Sequence, residues 1–459
     1  MRLPSVLVIS LALATSACGP SAGAKRAQAF LDRGDYPGAA QAADAELGKR
    51  PSDAALHRIR LRAALGMGDA RGAVDHYQAW RTGKGEDLGG LRTMAMTTLW
   101  QGLRSSAPAL RLQTIRAIER LELEDFARDV VMRLGDDDDV VAAAAAVAVL
   151  RSHPQAGEIA REMLRSEDPA ARAIAVEGIG RKVGKRAADD LRAALTDGDP
   201  RVRAAAGFAV GRLGDAADTA ALVTLAGDAS AEVRTTALRA LAQGKRGAHD
   251  GLVDRGLADE ALGVRLAAVE LAHAGHGADG VRALLGHRDP MVAAAAARLI
   301  KDPTLAAPAV DRALAADDVA TRVGAVGLAQ AALGKALALP RLRAAVADPA
   351  PAVRVAAARA LAYADERAAA ITVLAELAGG ADVDASLDAA AELVHLGDER
   401  GRPVLARLAA SDDPVIRHGV VSAHLAARVI TPGLWLALAD DVPANRIDAA
   451  AALIALGAR

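Results

Sequence analysis

Large aromatic side chains are nearly missing from this sequence: three Phe, three Tyr and three Trp among 459 residues, or 2%. A single thick core needs such side chains to fill its middle. Their scarcity excludes that architecture and points to thin layers only two helices deep, where alanine and leucine let backbones approach closely. Cysteine is almost absent too. Cys18 stands alone, and one thiol can neither close an internal disulfide nor form a paired zinc or redox site. An excess of either charge is also lacking, with 56 Lys and Arg against 57 Asp and Glu. No positive surplus exists to hold a phosphate backbone, so nucleic acid is not expected as a partner.

Long apolar runs are lacking as well. Arg2 precedes Val6-Leu7-Val8-Ile9-Ser10-Leu11-Ala12-Leu13-Ala14, which ends in Thr15-Ser16-Ala17-Cys18-Gly19. Such a run is short for a bilayer span but fits the hydrophobic region of an export signal. Ser16-Ala17-Cys18 resembles the cleavage box of bacterial lipoprotein signals, with Thr15 departing from the leucine usual three positions before the cysteine. The resemblance implies a signal peptide at 1–17, a lipidated Cys18 and a tether over 18–25. Gly19, unlike the aspartate associated with inner-membrane retention, implies outer-membrane attachment, with the periplasmic side preferred over the cell surface.

Glycine and proline, at 42 and 18 residues, occur too often for long uninterrupted helices and suit a turn every dozen or so positions. Two periods follow. Leu31 to Ala39 recurs 34 residues on as Leu65 to Ala73, with Gly34-Asp35 matched by Gly68-Asp69. The glycines permit a tight turn and the aspartates cap the next helix. These positions resemble tetratricopeptide (TPR) repeats, which implies helical hairpins over 26–104.

The second period fills residues 105–459. Asp199-Pro200-Arg201-Val202-Arg203-Ala204-Ala205-Ala206 returns in altered form around Arg234 and Arg354. Arginines take corresponding places at Arg172, Arg203, Arg234, Arg265, Arg322, Arg354, Arg417 and Arg446, at intervals of 31, 31, 31, 57, 32, 63 and 29. The two long intervals each contain a less typical unit, and others begin near Asp139 and Arg111. Each unit reads as a capping aspartate, a first-turn proline, an Ala/Leu stripe at helical spacing, a glycine stop and a second amphipathic helix. No unit can bury its apolar face alone, so eleven or twelve must stack serially. The pattern resembles HEAT repeats of the short type also found in phycobilin lyases. It implies an all-α fold, a right-handed alpha-alpha superhelix or solenoid, extending on the order of 100 Å along its axis.

Chemistry-bearing patterns are the last thing lacking. There is no His-Glu-x-x-His, no His-Glu dipeptide of the kind that HEAT-like deoxyhypusine hydroxylases use to hold iron, and no Gly-x-Ser-x-Gly. Glu270, His273, His276 and His287, and likewise Glu392, His395, His418 and His424, lie close enough in the chain to be weighed as metal ligands, but lack ligand spacing. Asp136-Asp137-Asp138-Asp139 lacks the spaced oxygens of a calcium loop and reads as a solvated turn plus helix cap. No catalytic, cofactor or metal residue is therefore expected.

The arginine series has two readings. It could form a positive inner stripe for acidic peptides or phosphates. The near-neutral composition favours the other, implied by the HEAT resemblance, in which each arginine pairs with an aspartate of its neighbour. Tyr77, Trp80 and Trp100 could line a peptide groove or close the end of a helical stack, and Trp435 could cap the open end of the last unit. The expectation is a lipid-anchored scaffold binding protein partners in the envelope. A repeat-based lyase or hydroxylase, or a self-associating structural envelope protein, are the alternatives.

Overall fold

The computed structural model describes residues 21–81, 87–244 and 249–457, and these residues are helical throughout with no strand. The proposed lipidation site Cys18 and its signal lie outside them.

Two hairpins begin the chain, Ala22–Asp32 with Tyr36–Leu47 and Ala54–Gly66 with Ala70–Arg81. Gly34 and Gly68 turn them, at φ +76° and +75°, a region that costs glycine nothing. Asp35 and Asp69 accept hydrogen bonds from the Gly38 and Gly72 amides at 2.9 and 2.8 Å, each cap contributing about 1 kcal/mol.

From residue 88 onward an outer and an inner helix alternate. Twelve inner helices follow one another: Pro108–Arg120, Asp139–Ala148, Pro169–Lys182, Pro200–Leu213, Ala231–Gln243, the first arm of Leu262–Arg282, Pro290–Ile300, the first arm of Val319–Ala345, Pro351–Tyr363, Val383–His395, Pro414–Ala427 and Pro443–Ala455. Asp168, Asp199, Asp289 and Asp413 cap their helices, each followed by a proline at the first helical position. Adjacent inner helices approach so closely that a methyl on Gly211 would lie 2.6 Å from the Ala240 Cβ. This crowding is why small residues dominate and aromatics are rare.

Leu262–Arg282 and Val319–Ala345 break at Gly277 (φ +60°) and Gly334 (φ +68°). Val319–Ala345 is the one described helix long and apolar enough, by length and composition, to cross a membrane. Gly334 splits it into the inner arm of one unit and the outer arm of the next, neither of which reaches the roughly 20 residues a span requires.

The ends of this solenoid meet. Pro443–Ala455 packs on Leu88–Leu103 and Pro108–Arg120 as other inner helices pack on the unit that follows them. One buried cluster joins Leu61, Tyr77, Leu91, Leu99 and Ile115 to Trp435, Leu438, Ile447 and Leu453. The Tyr77 and Trp435 rings meet edge to face with centroids 5.2 Å apart. The Gln113 amide donates to the Ala444 carbonyl at 3.1 Å, and Arg71 Nη2 lies 2.6 Å from an Asp441 carboxylate oxygen. The last unit therefore has a following neighbour. Trp435 does not cap an open end: it is 4% exposed because the chain's own first helices cover it.

Candidate partner-binding face

The repeated arginine lies at the inter-unit loops, and its geometry is nearly constant. Arg203 Nη1 donates to the Asp197 and Gly198 carbonyls of its own loop at 2.8 and 3.0 Å. Its Nε and Nη2 fork onto both oxygens of Asp228, 25 residues later in the next loop, at 2.7 and 2.9 Å. Asp228 also accepts the Ser230 amide at 2.8 Å, which fixes the turn. Arg172, Arg234, Arg322 and Arg417 repeat the fork on Asp197, Asp259, Asp348 and Asp440. Arg265 reaches Asp289 through Nε at 2.8 Å, and Arg354 takes Glu376 at 2.7 Å. Pairing of this kind is planar, bidentate and geometrically selective.

Arg446 differs. Its Nη1 donates to the Asp440 carbonyl at 2.7 Å, but the next loop around the closure, Arg104-Ser105-Ser106-Ala107, carries no carboxylate. The Arg71–Asp441 pair supplies an ionic tie at that junction instead. At two ladder positions that hold no arginine, Ala293 and Ser386, an arginine of the next unit's outer helix reaches in. Arg312 donates to the Leu285 and His287 carbonyls below Ala293, and Arg407 reaches Ser386 Oγ at 3.5 Å. The Asp136–Asp139 run is consumed by the same scheme: Asp136 is buried against Arg111 at 2.5 Å, and Asp138 caps the next helix. Asp136 is therefore not solvated, contrary to its reading as part of an exposed turn.

The fork has a pH consequence. Hydrogen bonds from the arginines hold Asp197, Asp228, Asp259 and Asp348 below the ordinary carboxylate range, and Asp199 is drawn down to about 2, chiefly by Arg201. A depressed folded pKa contributes stability that is complete above the unfolded value and is lost as pH falls through the folded one. The urea midpoint is thus expected to be insensitive to these groups above about pH 5 and to fall steeply below about pH 4. Loss of stability beginning near neutrality would contradict the assignment.

Opposite the ladder, the inner helices form a concave surface. Arg181 and Lys182 both contact Glu119, two units earlier, at 2.8 Å. Units that are not neighbours can touch only on the inside of a tight curve. Across the same face Arg359 pairs with Glu392 at 3.0 Å and His418 with Asp448 at 3.3 Å. Arg120, Arg151 and Arg212 stand exposed at corresponding positions of three units. Of the nine aromatic residues, only Phe208 and Tyr363 are exposed, at 48% and 60%, and both project from inner helices.

The aromatic groove proposed from sequence does not assemble as such. Tyr77 has no exposed surface, and its hydroxyl accepts the Asp87 amide at 2.9 Å, so it is a core residue of the closure. Trp80 and Trp100 are partly buried beneath arginines, Arg81 at 5.2 Å and Arg104 at 3.6 Å from the ring centroids. Among the histidines, His424 is buried between the Val420 carbonyl and Thr431 Oγ1, its pKa lowered by burial, and His276 meets Asp250. Among the described residues no three His, Cys, Asp or Glu side chains gather into a metal site. Sequence reasoning missed Arg359, Tyr363 and Asp388, which join Glu392 and His395 in one depression. The spacing Asp388, Glu392, His395 on one helix face was the available signal.

These hairpins, ladder and concave face define an all-α solenoid of HEAT-like repeats. Residues 158–242 match the HEAT repeats family, and arginine–aspartate pairing between successive loops recurs on both sides of that segment, from Arg111 to Arg417. No curated protein matches the chain. Among solved structures, Escherichia coli YibA is 20% identical, with 53% of this chain and 97% of that one covered and a TM-score of 0.38. The CpcE–CpcF complex of phycocyanin lyase from a Nostoc species is 19% identical (61% and 91% covered, TM-score 0.24). Kap121p is 12% identical (81% and 51% covered, TM-score 0.33).

Proposed function

We propose that this protein is a scaffold whose concave face holds protein partners, tethered to the bacterial outer membrane by lipid on Cys18 and facing the periplasm. The observation that carries the first half is the placement of its only exposed aromatics. In a chain so poor in such side chains, Phe208 and Tyr363 lie uncovered on the inner helices. Aromatic anchors of this kind dominate protein interfaces, and stacked helical repeats present extended concave surfaces suited to them. The second half rests on the pattern from Arg2 to Cys18.

Affinity capture from envelope membranes with crosslinking and mass spectrometry tests both. Crosslinks are expected on inner helices, and the Phe208→Ala/Tyr363→Ala variant should lose capture about tenfold or more with its melting temperature unchanged. Capture unaffected by the double variant, or crosslinks confined to outer helices, would contradict the reading. Cys18→Ser is expected to move the protein from the membrane to the soluble fraction; retention at the membrane would refute the anchor.

A further inference from the structure

Most polar groups of this fold are paired, and the exceptions concentrate the search. Most ladder arginines are committed to neighbouring loops, His276 meets Asp250, and His287 accepts the Asp289 amide. Among the described residues, one buried carboxylate oxygen has no hydrogen-bond partner, Glu392 Oε1. Between Pro351–Tyr363, Val383–His395 and Pro414–Ala427 lies an open depression of about 410 Å³, walled by Arg359, Tyr363, Asp388, Glu392, His395 and Ser422.

Glu392 is only 7% exposed. Its Oε2 accepts from Arg359 Nε at 3.0 Å, while Oε1 is buried with no hydrogen-bond partner. An unmet carboxylate oxygen in such a place is unfavourable unless something supplies a donor. Asp388 lies one helical turn earlier on the same face. Burial pushes its carboxyl up, with Arg359 opposing and Asp384 adding to the rise. Arg359 is thus the one permanent cation of the wall against two carboxylates, with a third close by. The exposed Tyr363 ring, its centroid 6.4 Å from that of His395, adds a π face of the kind that attracts cations.

We propose that this depression binds a guanidinium or ammonium group, presented as an arginine or lysine side chain of a protein partner. The cation would balance Asp388 and Glu392 and stack on Tyr363, giving the concave face a specific subsite for basic peptides. The inference rests on the protein-binding reading above, and fails separately from it.

Calorimetric titration of the full chain with the capped peptides acetyl-Gly-Arg-Gly-amide, acetyl-Gly-Lys-Gly-amide and acetyl-Gly-norleucyl-Gly-amide, and with methylguanidinium, decides it. The two basic peptides should bind saturably and more tightly than methylguanidinium, and the norleucine peptide should not bind. Glu392→Gln, and separately the more exposed Asp388→Asn, should each weaken the basic peptides about tenfold, the scale of one lost charge-assisted contact. Arg116→Ala, remote in the ring, should leave binding unchanged. Equal binding of the norleucine peptide, or unchanged affinity in Asp388→Asn with its melting temperature preserved, would overturn the cation site. Methylguanidinium binding as tightly as the peptides would overturn the assignment to a partner's side chain. Protein capture that survives while no basic peptide binds would sink this subsite and leave the scaffold standing.

Discussion

Trp435→Ala is expected to loosen both ends of the chain at once. The side chain is 4% exposed and packs edge to face on Tyr77, which is fully buried. Truncating a large aromatic in such a cluster costs about 3–5 kcal/mol, from lost transfer energy and the cavity left behind. In an open stack that loss would be confined to the terminal unit, because each repeat senses only its neighbours. Here the neighbours of Pro443–Ala455 include Leu88–Leu103 and Pro108–Arg120. Hydrogen exchange should therefore accelerate over 432–455 and over 88–120 together, with the intervening units nearly unchanged. Faster exchange limited to the last unit would mean the two ends are not in contact.

Arg111→Met is expected to be comparably severe. Arg111 is 6% and Asp136 only 1% exposed, and the guanidinium also donates to the Ser105 and Ser106 carbonyls at 3.0 and 3.2 Å. Methionine retains the apolar stem but leaves Asp136 buried with the Asp138 amide and a 3.4 Å contact to Arg133. Removing one member of a buried pair costs about 3–5 kcal/mol, because the remaining charge is uncompensated. The sign of the pH effect discriminates this cause from lost packing. In the parent chain Asp136 lies below its ordinary pKa despite burial, held there by Arg111, so its contribution is present above about pH 4 and lost below it. In the variant, burial acts without that opposition and raises the carboxyl pKa. The difference between the two proteins should then shrink as the pH falls and Asp136 takes up a proton. A second change, Asp136→Asn, should restore part of the loss. A deficit of constant size at every pH would assign the effect to shape alone. By contrast, Arg201→Ala breaks only the exposed Asp199 contact and should change stability little.

The repeating features were legible because they recur. An arginine, an aspartate 25 residues later and a cap two positions beyond that leave a periodic trace, and the structure shows the spacing to be a bond: Asp197 holds the arginine while Asp199 caps the helix. Degenerate units hid their repairs. Nothing about Arg312 or Arg407 in sequence says that each serves a loop whose own ladder position is Ala293 or Ser386. Closure was invisible for a different reason. Arg71 and Asp441 are separated by 370 residues, and a contact made once leaves no period. Tyr77 and Trp435 therefore read as a groove residue and an end cap, when they are two halves of one junction. The depression at Glu392 was half legible: Asp388, Glu392 and His395 share a helix face in the sequence, but Tyr363 and Arg359 come from the preceding unit, and an unmet carboxylate oxygen is a property of three dimensions.

Closure of the solenoid is the claim on which the concave binding face depends, and one distance tests it. Spin labels on Arg71→Cys and Asp441→Cys, in a Cys18→Ser background that removes the sole native thiol, can be read by double electron–electron resonance. A closed chain, in which these side chains meet at 2.6 Å, predicts a single short label-to-label distance. Separations approaching the length of an open twelve-unit stack, on the order of 100 Å, would contradict it.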